Sequence, residues 1–239
     1  MNIIESSRQS LSPEIFNQFS TLSSGNEDSL NKAINAAITA IVAGVLNKAS
    51  ENNGMHAITN LLEKVRQENV CSENLLDEKI IQRGLKSLSV IFNTQEKADN
   101  LVSLVAQISG QTPKATAKIL PAITMMVLKT VDEEKNANSL DMKGLALLLL
   151  EQKDPIIQTA PPGLSRFLGL TNFSSLGGSL NSYLGIPVKL GVSQPKYEME
   201  TVQTSVESAA ALKEKKMRWI LPLVFLLFLG YFLFKQFFR

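Results

Sequence analysis

The chain has 239 residues, 44% of them hydrophobic and 19% charged, and a formal net charge of +2. That near-balance, with no Lys/Arg-rich stripe interleaved with aromatics in residues 1–170, gives nucleic-acid binding poor support. A single cysteine, Cys71, excludes an intramolecular disulfide framework and suits a reducing compartment.

Strand-like alternation of β-branched residues is rare, so helices are expected throughout. The opening MNIIESSRQSLSPE has no basic stretch followed by an apolar run, and so no secretory signal. Ser12-Pro13 reads as a helix start that turns Ile15, Phe16 and Phe19 inward and ends near Ser23-Ser24-Gly25. A long helix is predicted over about 27–49. Its stretch Ile34–Leu46 is almost wholly apolar but short for a bilayer, which makes it a core helix. Asn52-Asn53-Gly54 breaks it. Ile58, Leu61, Leu62 and Val65 then mark an amphipathic helix. Residues 72–92 are expected as two shorter helices hinged near Gly84.

Asn93 and Glu96 resemble a capping box for a helix with Leu101, Leu104, Val105 and Ile108 on one face. Thr112-Pro113 starts another helix, to about Val131, with a kink or stagger expected at Pro121. Leu147–Leu150 reads as a buried helix end within 141–152. Pro155, Pro161 and Pro162 close the compact region, with a short helix over 164–168. Residues 170–200, rich in Gly and Ser turns, read as a linker or loosely packed segment, and 201–216 as a helical juxtamembrane segment.

Met217–Arg239 reads MRWILPLVFLLFLGYFLFKQFFR, uncharged from Trp219 to Phe234. Those residues span roughly 24 Å as a helix, and about 30 Å when counted to Phe238, the thickness of a hydrocarbon core. Six of the chain's eleven Phe lie here on every side of the helix, Phe225, Phe228 and Phe232 on one face and Phe234, Phe237 and Phe238 around the rest, whereas a soluble helix keeps a polar face. Trp219 and Tyr231 suit the two interfaces. The segment is therefore expected as a single-pass tail anchor. Lys213, Lys215, Lys216 and Arg218 precede it, so the positive-inside bias puts the N-terminal part in the cytoplasm.

Residues 22–42 align without gaps on 107–127. Ser24, Gly25, Ile34, Ala37, Ile38, Thr39 and Val42 recur as Ser109, Gly110, Ile119, Ala122, Ile123, Thr124 and Val127. The expected fold is all-α: a helical bundle of two internally repeated halves, about 10–68 and 94–152 within a domain of 1–169, plus one C-terminal transmembrane helix.

The stretches AAITAIVAGVLNKASENNGMHAITNLL (36–62) and SGQTPKATAKILPAITMMVLKTV (109–131), followed by GLALLL, resemble the bacterial YidB-like domain family of unknown function. Gly110, Thr112-Pro113 and Leu120-Pro121 carry the likeness in the second stretch. It covers roughly residues 10–170. It implies a bacterial inner-membrane protein with a cytoplasmic helical domain, and it implies no reaction. Some relatives carry an OmpA-like peptidoglycan-binding domain after a membrane helix; none of these 239 residues matches such a domain.

No enzyme chemistry is expected. His56 is the single histidine, carboxylates at Glu68 and Glu73 flank Cys71 and disfavour a thiolate, and Asp132-Glu133-Glu134 point in different directions on a helix. No Walker loop, dinucleotide fingerprint, cysteine pair or HExxH occurs, so no cofactor and no metal is expected. The expected role is a membrane-tethered interaction or scaffold protein. The alternative is a domain that holds lipid or an acyl chain, or inserts its apolar helices. Expected partners are the lipid bilayer, an unidentified protein and a second copy in a possible homo-oligomer, with no nucleic acid.

Overall fold

The computed structural model describes residues 1–71 and 74–185. All regular structure among them is helical. In chain order it comprises α1 (Ile3–Gln9), α2 (Pro13–Leu22), α3 (Glu27–Ala49), α4 (Gly54–Gln67), α5 (Glu78–Ile91) and α6 (Gln95–Ser109). There follow α7 (Pro113–Ala137), α8 (Met142–Leu150), α9 (Lys153–Thr159), α10 (Leu164–Phe167), a 3-10 turn (Phe173–Ser175) and α11 (Gly178–Tyr183).

Capping side chains fix many of the starts. Asn26 accepts from Ser29 N at 2.9 Å and Asp141 from Gly144 N at 2.8 Å. At both hydroxyl-proline starts, Ser12 and Thr112 accept from the backbone three residues on. The long helices α3 and α7 pack on each other at the centre. Every residue from Ala36 to Leu46 of α3 is buried, and so is every residue from Ile119 to Leu128 of α7. Helices buried on all sides are core helices. Around them, α4, α5 and α6 cover α7, α6 and α9 cover α3, and α1 lies across both. The two aligned Ser-Gly turns meet: the Gln111 side chain accepts from Ser24 N at 2.8 Å and donates to the Ser23 hydroxyl at 2.7 Å.

Several expectations need correction. The hinge near Gly84 is absent, because α5 runs straight through that residue. Gly84 is instead a point of close approach: a Cβ built there would lie 2.3 Å from the Pro121 carbonyl oxygen. Pro121 sits inside an unbroken α7. The carbonyl that loses its partner there belongs to Ala117, an exposed residue, so it is not shut away from solvent. The cap expected at Asn93 falls on Thr94, which accepts from Lys97 N at 3.1 Å. Asn93 takes a left-handed φ of 70°, which asparagine tolerates, and its amide donates to Glu51. Leu148 and Leu149 are buried but Leu147 is 44% exposed, since four consecutive helical leucines cannot share one face.

Order continues past residue 169, into the stretch read as a linker. Leu176 and Leu180 are fully buried, which ties 173–184 to the core. At the other end, α1 was not foreseen. Its Ile3 and Ile4 are buried, and the side chain of Gln152, itself fully buried, accepts from Ile3 N at 2.8 Å and donates to Leu148 O at 2.9 Å. The rest of the expected linker, the juxtamembrane segment and the tail lie outside the described residues.

The α5–α7 approach yields a stability prediction. Gly84→Ala should cost at least about 2 kcal/mol, because its methyl meets backbone that cannot step aside. Gly178→Ala, with nothing within 4 Å, should change stability by less than about 1 kcal/mol. Urea unfolding followed by circular dichroism checks both.

Candidate interaction surface

The reactive side chains singled out in the sequence do not converge. His56 is exposed at the start of α4 and lines a half-open cleft of 290 Å³. Cys71 is half-buried and lines a separate pocket of only 50 Å³, with Lys129 and Glu133. The three consecutive carboxylates turn to different partners. Asp132 receives Arg66, Glu133 pairs with Lys129 at 3.3 Å, and Glu134 accepts from Asn138. No group of three or more His, Cys, Asp or Glu among the described residues is placed to hold a metal ion.

The charged groups act as ties between helices. Arg66 of α4 forks onto Asp132 of α7, with Nε donating to Oδ2 at 3.0 Å and a terminal nitrogen donating to Oδ1 at 2.6 Å. Asn136 donates to the same carboxylate at 2.9 Å. Hydrogen bonding to Asp132 raises the already high Arg66 pKa further. Just past α4, the largely covered Glu68 carboxylate meets Lys79 at 2.6 Å and Arg83 at 2.5 Å, both from α5. Lys79 first and then Arg83 hold Glu68 below the ordinary glutamate value of 4.5. At the end of α3, burial raises the Glu51 pKa, but hydrogen bonds from Lys48 and Asn93 outweigh it and the net shift is downward.

Among the described residues, two surfaces have shape enough to receive a partner. The 290 Å³ cleft runs between the α3–α4 turn and α11. Ala49, Met55, Met142 and Leu180 give it apolar lining, and Asn52, Asn53, His56 and Tyr183 a polar edge. Asn53 holds a left-handed φ of 57° to make the turn. The second surface is a shallower groove of 320 Å³ where Leu140, Gly144, Leu147 and Leu148 meet Met1. Exposed Leu147 and Met1 flank it. Neither surface is marked by a motif in the sequence. Asn52-Asn53-Gly54 read only as a break, and the glycines of 170–185 hid the four-residue spacing of Leu176, Leu180 and Leu184.

The tail residues Trp219, Phe225, Phe228, Tyr231 and Phe232 and the basic group Lys213, Lys215, Lys216 and Arg218 lie outside the described residues. The family described as bacterial protein of unknown function (DUF937) matches residues 7–139, which takes in α2 to α7. No curated protein and no solved structure matches the chain.

The Glu68 clasp has a signed pH dependence. Its pKa is depressed in the fold, so its contribution is present at neutral pH and is lost as pH falls below 4.5 and through the folded value. Wild type should therefore unfold at higher urea than Glu68→Gln at pH 7, and the gap should narrow below pH 4.5. A gap that ignores pH would rule out a contribution from the charge.

Proposed function

The chain belongs to the bacterial DUF937 family, and on that premise we propose a non-enzymatic interaction protein. Its helical domain is held at the inner membrane by the apolar segment 217–239, faces the cytoplasm and receives a protein partner. The observation that carries this reading is how apolar residues are divided along the chain. The domain covers its own apolar helices, whereas Trp219–Phe234 offers sixteen uncharged residues directly after a basic cluster. Tethering confines the domain near the membrane and raises its effective concentration for partners there. The interaction role draws support from the two surface clefts and from the placement of His56 and Cys71 in different pockets. The YidB-like likeness of 36–62 and 109–149 belongs to the same proposal. So does descent from a duplicated half, which the meeting of the two Ser-Gly turns supports.

A second reading has one observation in its favour. Helix α3 is long and apolar enough to cross a bilayer, although 78% of its apolar window is buried inside the domain. A domain that opened and inserted α3 would bind lipid through its own core.

Two experiments separate these readings. The full chain should pellet with bacterial membranes and resist carbonate, and a chain ending at residue 200 should be released. Recovery of the full chain in the soluble fraction would sink the tether. Ile41→Glu and Met126→Glu should each unfold the domain, at about 3 kcal/mol or more, since both side chains are buried. Retained helicity with lost liposome binding would instead favour insertion.

A further inference from the structure

Residues 176–184 read Leu-Gly-Gly-Ser-Leu-Asn-Ser-Tyr-Leu, and Gly, Ser and Asn are weak helix formers. The six residues of α11 also fall well short of the length at which a helix sustains itself in water. The helix therefore depends on the surface beneath it. Leu176 and Leu180 are fully buried there, and Leu184 is half-buried, each four residues from the last. Gly177, at φ 75°, lies so close to that surface that a Cβ would sit 2.9 Å from Leu150 and 3.2 Å from Leu46. Polar fastening is slight: the Ser179 hydroxyl donates to the Ser50 carbonyl, and the Lys153 ammonium to the Ser174 carbonyl. The surface also extends beyond the strap. Ala49, Met55 and Met142 continue it as the 290 Å³ cleft along the flank of α11.

We propose that residues 176–184 are a built-in occupant of a helix-docking groove. The partner this groove fits is an amphipathic helix carrying leucines four residues apart, which displaces the strap. The groove already accepts two leucines at that spacing from the α11 turn, Leu180 and Leu184, while Leu176 enters from extended backbone ahead of it. A longer helix of better propensity would bury the cleft as well, and would lose less entropy on ordering than a segment with two adjacent glycines. The strap then acts as an intramolecular competitor that keeps an apolar surface covered until the partner arrives. This deepens the interaction reading and rests on it.

Hydrogen–deuterium exchange on the detergent-solubilised full chain tests the strap itself. Amides of 178–184 should exchange at least about a hundredfold faster than those of α3, as expected of a locally opening unit. A labelled peptide of residues 173–185 should bind the full-length Leu176→Asp/Leu180→Asp variant, and bind wild type at least about tenfold more weakly. Protection of 178–184 equal to that of α3 would overturn the proposal while leaving the interaction reading standing. So would a variant with wild-type ellipticity that takes up no peptide. If the double variant unfolds, Leu180→Ala replaces it in the same assay.

Discussion

The Pro121 carbonyl oxygen fills the place where a side chain on residue 84 would stand, and the arrangement of the central helices depends on that approach. With Gly84 against α7 backbone, Ile80, Leu88 and Ile91 of α5 all reach the core. The end of α5 then carries Phe92 onto α3, where Gly44 leaves room for its ring; a Cβ on Gly44 would lie 2.5 Å from Phe92. Phe92 also meets Phe167 edge to face, with ring centroids 5.3 Å apart. Two missing side chains thus let one amphipathic helix join both central helices. The Glu68 and Arg66 ties bind α4 to the same assembly, but they sit near the surface, where ion pairs contribute modestly. Packing sets the architecture, and the charges select among nearby arrangements.

Helix α3 illustrates how little apolar length alone decides. By length and hydropathy it passes for a membrane span, yet neighbours cover it on every side. Its small residues, Ala36, Ala37, Ala40, Ala43 and Gly44, let those neighbours come close. Its one buried hydroxyl in the middle, Thr39, lies 3.2 Å from the Thr159 hydroxyl of α9, so no polar group there is stranded. The hydrophobic effect rewards removal from water without regard to what replaces it. Covering helices can serve α3 as well as lipid would.

Periodicity and start signals were legible where helices are long or capped by hydroxyl and proline. Residues 27–49, Ser12-Pro13 and Thr112-Pro113 carried enough pattern to fix type and start. Short segments were not legible, because their structure is imposed from outside. Seven residues of α1 cannot display a period, and the glycines around Leu176 and Leu180 imitate a linker. Gly84 was misread for a related reason. A glycine that bends a helix and one that admits a neighbour's backbone look the same in sequence, and only the position of Pro121 distinguishes them. The cleft was hidden likewise, being built from a turn and a strap about 130 residues apart, a separation close to that of the Ser179–Ser50 bond.

The buried amide of Gln152 has a bearing on synthesis at the ribosome. Ile3 and its acceptor are 149 positions apart, and α1 rests on α7, which is also made late. At about 5–20 residues per second, α1 waits on the order of ten seconds before the α7 and Gln152 parts of its seat exist, although α3 is made early. Throughout that interval the two adjacent isoleucines lack part of the surface that buries them in the finished domain. Translation order therefore makes the first helix of this domain among the last to dock.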